Sequence, residues 1–349
     1  MNNRRVKDKD NVNNFVKTKS DKKDNFLFSN NLFLRVLSAT FLLIILFIYC
    51  SSGLFYIFYN QYSFAKILGY ICIGISLLII NIALIELTKS YKIGKWYLYL
   101  YVNIMGTVLF LFPTSSQMYN FDFYNHLNLS WLKGYMFSVL TIGEIILLVI
   151  FISIYKDIKD TLFFTILFII IVFAYKGFTI VSLRVGEVTN KTNAYYSYNT
   201  NLWIWLIAIC SDTFAYFGGS KFGKTKLAPK ISPNKSWEGA YIGYACALIV
   251  SLVYCFAFYY SSPSHKNAPF RTSMMELNSD WKVIFIYFSL SLVFPFIAIL
   301  GDLLFSYNKR KNKIKDYSRT IPGHGGLLDR VDSVTLCFFL MFLLVVVLN

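Results

Sequence analysis

The carboxylates of Asp302, Asp329 and Asp332 and the hydroxyl of Ser306 stand out in one stretch of the sequence, Gly301 to Ser333, which reads GDLLFSYNKRKNKIKDYSRTIPGHGGLLDRVDS. Asp302 and Ser306 are four residues apart, so on a helix they share a face. Asp329 and Asp332 are three apart and also face one way, about one turn apart. Carboxylates grouped like this suit hard divalent cations, above all magnesium held jointly with substrate phosphates. The Lys and Arg side chains between them suit the phosphates themselves. Ile-Pro-Gly-His-Gly-Gly, residues 321–326, must be a tight turn or loop. A basic loop is often only a topology signal, and an acid at a helix start is often a dipole partner, which accounts for Asp329 alone. Neither accounts for two acids, a glycine turn and a third acid across the loop, all at one membrane depth.

A second cluster runs from Ser211 to Gly239: SDTFAYFGGSKFGKTKLAPKISPNKSWEG. Asp212 lies well inside an apolar run, where an ionisable group is costly and a functional candidate by default. The bland alternative is a buried acid paired with a lysine. Gly218-Gly219-Ser220 and Phe222-Gly223-Lys224 read as a flexible basic loop whose amides and lysines could hold a polyphosphate. The spacing is not that of a Walker loop. Ser236, Glu238 and Gly239 equally fit ordinary helix-start chemistry.

The elements that must position these residues are membrane spans. The chain has 349 residues, 56% hydrophobic and 15% charged, with a mean hydropathy of +0.52. A soluble domain of this length carries more charge and shorter apolar runs. A span needs roughly 20 mostly apolar residues. Such runs are read at about 32–58, 64–87, 96–112, 131–154, 161–183, 201–219, 237–260, 281–304 and 334–348. The expected fold is therefore all-α and polytopic, with about nine transmembrane helices. The first run is too long for a cleaved signal peptide and follows a polar head. Three regions are expected: a disordered charged head over 1–31, N-terminal spans over 32–200, and a catalytic membrane region over 201–349.

Lys and Arg accumulate in cytoplasmic loops because they resist translocation. The head, the turns near Lys89–Lys95 and Lys156–Lys159, and the segments 221–235 and 309–319 are basic. The alternate segment 113–130 has no Lys or Arg, and 184–200 and 261–280 have two each. This places the N-terminus and every strongly basic segment in the cytosol. The net charge of +16 then reads as attraction to anionic headgroups and phosphorylated substrates rather than to nucleic acid. The six cysteines fall inside the runs and form no CxxC pair, so they read as packing residues. The scattered histidines, with His126 and His265 in outer loops, make a zinc site of the usual type unexpected.

These two stretches resemble the CDP-diacylglycerol synthase family, also called phosphatidate cytidylyltransferase. The family signature is met by Ser306, Lys309-Arg310, Lys315-Asp316, His324-Gly325-Gly326, Asp329-Arg330 and Asp332, and Asn308 departs from it by replacing an apolar residue. Ser211-Asp212-Thr213 and the stretch from Phe222 to Gly239 are also similar to the family. The resemblance covers roughly residues 200–340. It implies that CTP and phosphatidic acid give CDP-diacylglycerol and pyrophosphate in the membrane, in phospholipid biosynthesis. On that resemblance Asp302, Asp329 and Asp332 are expected to hold Mg2+, one or two cations, with Ser306 beside them in the catalytic set. Lys309, Arg310, Lys315 and Arg330 are expected to contact phosphate, together with Asp212, Lys221, Lys224, Lys226, Lys230, Lys235 and Ser236 on the substrate-binding side. His324 is expected to contact phosphate or shape the turn. A homodimer is compatible with this reading. The charged head and the form Ile314-Lys315-Asp316…Thr320-Ile321-Pro322 resemble eukaryotic members and point to the endoplasmic reticulum. The competing readings are a CTP-dependent lipid-alcohol kinase of the dolichol kinase kind, and a transporter with Asp212 and Asp302 as ion ligands.

Overall fold

The computed structural model describes residues 36–56, 58–59, 62–112, 134–183, 199–261, 268–270, 280–323 and 325–348. The expected charged head and His324 lie outside the described residues. Among the described residues nine helices follow one another: α1 (Val36–Tyr56), α2 (Ser63–Ser90), α3 (Trp96–Leu111), α4 (Gly134–Ser153), α5 (Ile158–Leu183), α6 (Asn199–Phe222), α7 (Trp237–Tyr260), α8 (Asp280–Lys311) and α9 (Leu328–Leu348). Seven are long and apolar enough to cross a membrane, while α3 and α4 carry shorter apolar stretches. The nine match the nine apolar runs one for one. In hydrocarbon only a helix or a closed barrel satisfies its own backbone, so apolar runs of this length have one available form.

Hydrogen bonds fix which helix ends lie together. Ser38 at the start of α1 donates to the Pro322 carbonyl. Lys311 at the end of α8 pairs with Asp160 at the start of α5, at 2.7 Å. Ser333 near the start of α9 donates to Asp212 on α6. The basic segments between helices therefore gather at one end of the bundle. At the other end the Phe270 N–H donates to Thr200 at the start of α6.

Between α6 and α7 lies a small antiparallel hairpin, β1 (Lys226–Ala228) against β2 (Ser232–Ser236), in register Lys226↔Ser236 and Ala228↔Ser232. The Ser236 hydroxyl then caps α7, accepting from the Gly239 N–H at 3.2 Å, which satisfies one of the orphan donors of a helix start. Glu238 accepts from the Lys224 and Thr225 N–H groups and from the Thr225 hydroxyl, tying the hairpin to the helix.

Two boundaries differ from the sequence reading. Gly218-Gly219-Ser220 lies within the last turn and a half of α6, not in a flexible loop. Its glycines serve contact with α7: a Cβ on Gly218 would stand 2.8 Å from the Ile242 side chain, and a Cβ on Gly239 would stand 2.8 Å from the Gly219 Cα. Small residues let two backbones approach this closely. The basic run Lys309–Lys311 is likewise helical, because α8 continues past its apolar part.

Candidate active site

α8 brings Asp302, Ser306 and Lys309 to one face, and α9 opens with Asp329 and Asp332. With Asp212 from α6 and Lys235 from β2, Asp302, Lys309, Asp329 and Asp332 line a cavity of about 570 Å3 at the end where the basic segments gather. Ser306 does not line it, but its hydroxyl donates to Asp302 Oδ1 at 3.2 Å. Tyr216, Gly219, Ser232, Asn234 and Ser236 complete the polar wall.

Two ion pairs order the cavity. Lys235 donates to Asp302 Oδ2. Lys309 donates to Asp329 Oδ1 at 2.7 Å, with side chains only 11% and 6% exposed. Asp329 Oδ2 accepts from the N–H groups of Tyr317 and Gly326, both at 2.9 Å. Asp329 thus holds the glycine turn against the start of its own helix. Gly325, with φ of +89°, sits where its Cβ would stand 3.1 Å from Asp329 Oδ2. A side chain there would be strained by the backbone angle and crowded by the carboxylate.

The other three acids stand differently. Asp212, Asp302 and Asp332 are near enough for their charges to interact. Asp212 Oδ2 accepts from the Ser333 hydroxyl at 2.6 Å, and Asp332 Oδ1 accepts from the Ser333 N–H at 3.0 Å. One serine, which the sequence analysis did not single out, therefore spaces two acids from different helices. Like charges at such range oppose one another unless cations balance them, and the two lysines supply part of that balance. Among the described residues no group of three acidic, His or Cys side chains forms a cage able to hold an ion alone. A few carboxylate oxygens open to a polar cavity are instead the donor set of magnesium shared with phosphates, which keeps one or two protein ligands. Asp302 and Asp332 fit that use. Asp329 is the most fully engaged of the expected ligands, its oxygens accepting from a lysine and two backbone amides, where those of Asp302 accept from Lys235 and Ser306.

The remaining candidates do not reach the cavity. Lys221, Lys224, Lys226, Lys230, Lys315 and Arg330 are exposed and are absent from its lining. Arg310 donates to the carbonyls of Ile231 and Ile314, clamping the hairpin turn and the following loop to α8. Asn308, the departure from the family pattern, is fully buried and donates to the Tyr317 hydroxyl at 2.9 Å. A polar side chain in an apolar position is tolerated there because the tyrosine satisfies it.

A second cavity of about 440 Å3 lies between α7 and α8 and is almost wholly apolar. Trp237, Tyr241, Tyr244, Phe296 and Leu300 are among its walls, and it shares Leu227, Ala240 and Ile299 with the polar cavity. The two are therefore contiguous, one polar and one greasy.

The chain belongs to the cytidylyltransferase family, whose sequence profile it matches over residues 26–348. It is 39% identical to a phosphatidate cytidylyltransferase of Haemophilus influenzae over 156 residues, covering 45% of this chain and 48% of that one. It is 38% identical to a phosphatidate cytidylyltransferase of Rickettsia conorii over 151 residues, covering 42% and 59%. A putative phosphatidate cytidylyltransferase of Mycoplasma pneumoniae is 36% identical over 162 residues, covering 39% and 41%. The chain spans about half the length of the curated relatives it matches.

Proposed function

We propose that this protein transfers the cytidylyl group of CTP to phosphatidic acid, forming CDP-diacylglycerol and pyrophosphate. The observation that carries the reading is the contiguity of the two cavities. A polar chamber with acids and lysines opens beside an apolar groove between two membrane helices, which suits a substrate with a phosphate head and acyl tails. The names of the relatives support the same reaction.

In that reaction a phosphate oxygen of phosphatidic acid attacks the α-phosphorus of CTP in line. The new O–P bond forms as the bond to the β-phosphate oxygen breaks, and pyrophosphate leaves. Little covalent chemistry falls to the protein, so positioning and charge neutralisation carry the catalysis. Lys235 and Lys309, held by their acids at the chamber wall, stand ready to contact the phosphates. Asp302 and Asp332 would hold Mg2+, which when bound would neutralise negative charge on the reacting phosphates. Ser306 keeps Asp302 oriented, and Asp212 is kept in place by Ser333.

The basic end of the bundle faces the cytosol in this reading, so that CTP enters from water while lipid enters sideways. Asn234 begins a glycosylation sequon, Asn234-Lys235-Ser236, in the hairpin. Expressed in a eukaryotic secretory membrane it should stay unmodified, and glycan on Asn234 would invert the orientation. The endoplasmic reticulum is the compartment the eukaryotic-like segments favour, although the relatives named above are bacterial. The reaction itself is tested by giving radiolabelled CTP and phosphatidic acid to purified protein and identifying the lipid product. Labelled CDP-diacylglycerol is the expected result. A phosphorylated lipid alcohol from CTP, or no CTP-dependent product, would overturn the proposal.

A further inference from the structure

Glu86 lies on α2, in the half of the chain where the sequence shows spans and no signature. Its side chain is buried, at 2% exposure. Oε1 accepts from the Ser318 hydroxyl at 2.6 Å, the Thr320 hydroxyl at 3.0 Å and the Leu327 N–H at 3.0 Å. Oε2 accepts from the Leu328 N–H at 2.8 Å. All four donors belong to the loop before α9 or to its first residue. Two are backbone amides at the start of α9, where a helix leaves N–H groups without partners and carries a partial positive charge. A carboxylate from another helix meets both needs. Gly326 completes the fit: a Cβ there would stand 2.8 to 2.9 Å from the Glu86 carboxylate atoms. Of the adjacent pair Gly325-Gly326, the second is therefore required by a residue on α2, as the first is by Asp329.

Glu86 does not line the polar cavity. The segment it holds ends one residue before Asp329 and four before Asp332. Asp329 grips the same turn from the other side, through Tyr317 and Gly326. The turn is clamped between two carboxylates, only one of which faces the chamber.

We propose that Glu86 is a positioning residue for the transfer: it fixes the start of α9 and so sets where Asp329 and Asp332 stand. This rests on the cytidylyl transfer proposed above. A buried charge with four hydrogen bonds could also serve stability alone, so the test must separate the two. Glu86→Gln keeps the volume but offers an NH2 where donors already point, leaving part of the set unmatched. Displacing reacting groups by about 1 Å costs on the order of 10- to 100-fold in rate. Turnover of the variant should fall by about that factor while the KM for CTP stays within about twofold, because the residue touches no substrate.

The decisive comparison is the double variant. If Glu86 acts through the acids of α9, adding Glu86→Gln to Asp332→Asn should lower turnover by less than about twofold further. A full multiplicative loss would overturn the proposal and leave a general structural role. Hydrogen exchange on detergent-purified protein reads the geometry without activity. Peptides over residues 317–330 should exchange faster in Glu86→Gln, with the other helices unchanged. Equal exchange in variant and wild type would sink the idea, even if the wild type proved to make no CDP-diacylglycerol. Should Glu86→Gln fail to fold, Ser318→Ala/Thr320→Ala removes two of the four donors, and a severalfold loss of turnover with unchanged KM is expected. Unchanged turnover in that variant would overturn the proposal.

Discussion

In the segment between α6 and α7, Lys221, Lys224, Lys226 and Lys230 are exposed, and Lys235 enters the chamber from β2. In the segment that begins inside α8, Lys309 enters the chamber, Arg310 clamps two carbonyls, and Lys311 pairs with Asp160 over the ring of Phe163. Lys313, Lys315 and Arg319 beyond it are exposed. The two segments look alike as sequence, each a run of five or six cations. They differ in backbone. The first is a hairpin that delivers its cation from a strand end, and the second is a helix whose 3.6-residue period turns successive cations in different directions. Each commits one ammonium to the chamber and pairs it with an acid. Cation number therefore sets the field around the site, while register sets which cation enters the chamber.

The largest effect should come from the acids that these two lysines balance. Asp332→Asn and Asp302→Asn are each expected to lower turnover by about 100-fold or more, read as CDP-diacylglycerol formed at saturating CTP. Near-normal turnover in both at low magnesium would remove them from the reaction. Next come Lys235→Met and Lys309→Met, expected to lower kcat/KM by about 10- to 100-fold, with Lys309 the more severe because its loss leaves the nearly buried Asp329 carboxylate without its ion-pair partner. Equal loss in an exposed-lysine variant would erase the distinction between the two kinds of cation. Arg310→Ala should act through structure. Losing its two carbonyl contacts is expected to cost about 1–2 kcal/mol of stability, seen as a lower Tm, with a modest rise in KM for CTP. The smallest effect belongs to Lys224→Ala, Lys226→Ala and Lys315→Ala. Each should change the KM for CTP by less than about threefold, and the change should fade as salt rises, since exposed charges are screened. Persistence at high salt would mean that one of them touches the substrate.

Much of this was legible in the sequence. An apolar run of some twenty residues is a redundant signal, so nine runs gave nine helices even where single boundaries moved. The i, i+3 spacing of Asp329 and Asp332 and the i, i+4 spacing of Asp302 and Ser306 survived because both pairs do lie on helices. The glycines were misleading for a physical reason. Gly218 and Gly219 mark a loop in a soluble context, but against Ile242 and Gly239 they mark two helices packed close. Glu86 was invisible because its partners lie more than 230 positions away and a lone acid near a span end reads as an interfacial residue. Ser333 was missed for a similar reason: its hydroxyl answers to Asp212 on another helix.

The order of synthesis gives the α9 contacts a further meaning. α9 follows the other eight described helices along the chain, and it supplies Asp329, Asp332 and Ser333 while its leading turn closes on Glu86 of α2. Until it inserts, Asp212 waits in the bilayer without the hydroxyl that holds it, and Glu86 without any of its four donors. Asp302 is better provided, since Lys235 has already been made. A nascent chain thus carries one unmatched acid from the moment α2 enters the membrane and a second once α6 follows, until α9 joins them, the interval in which a quality-control protease would find it most vulnerable.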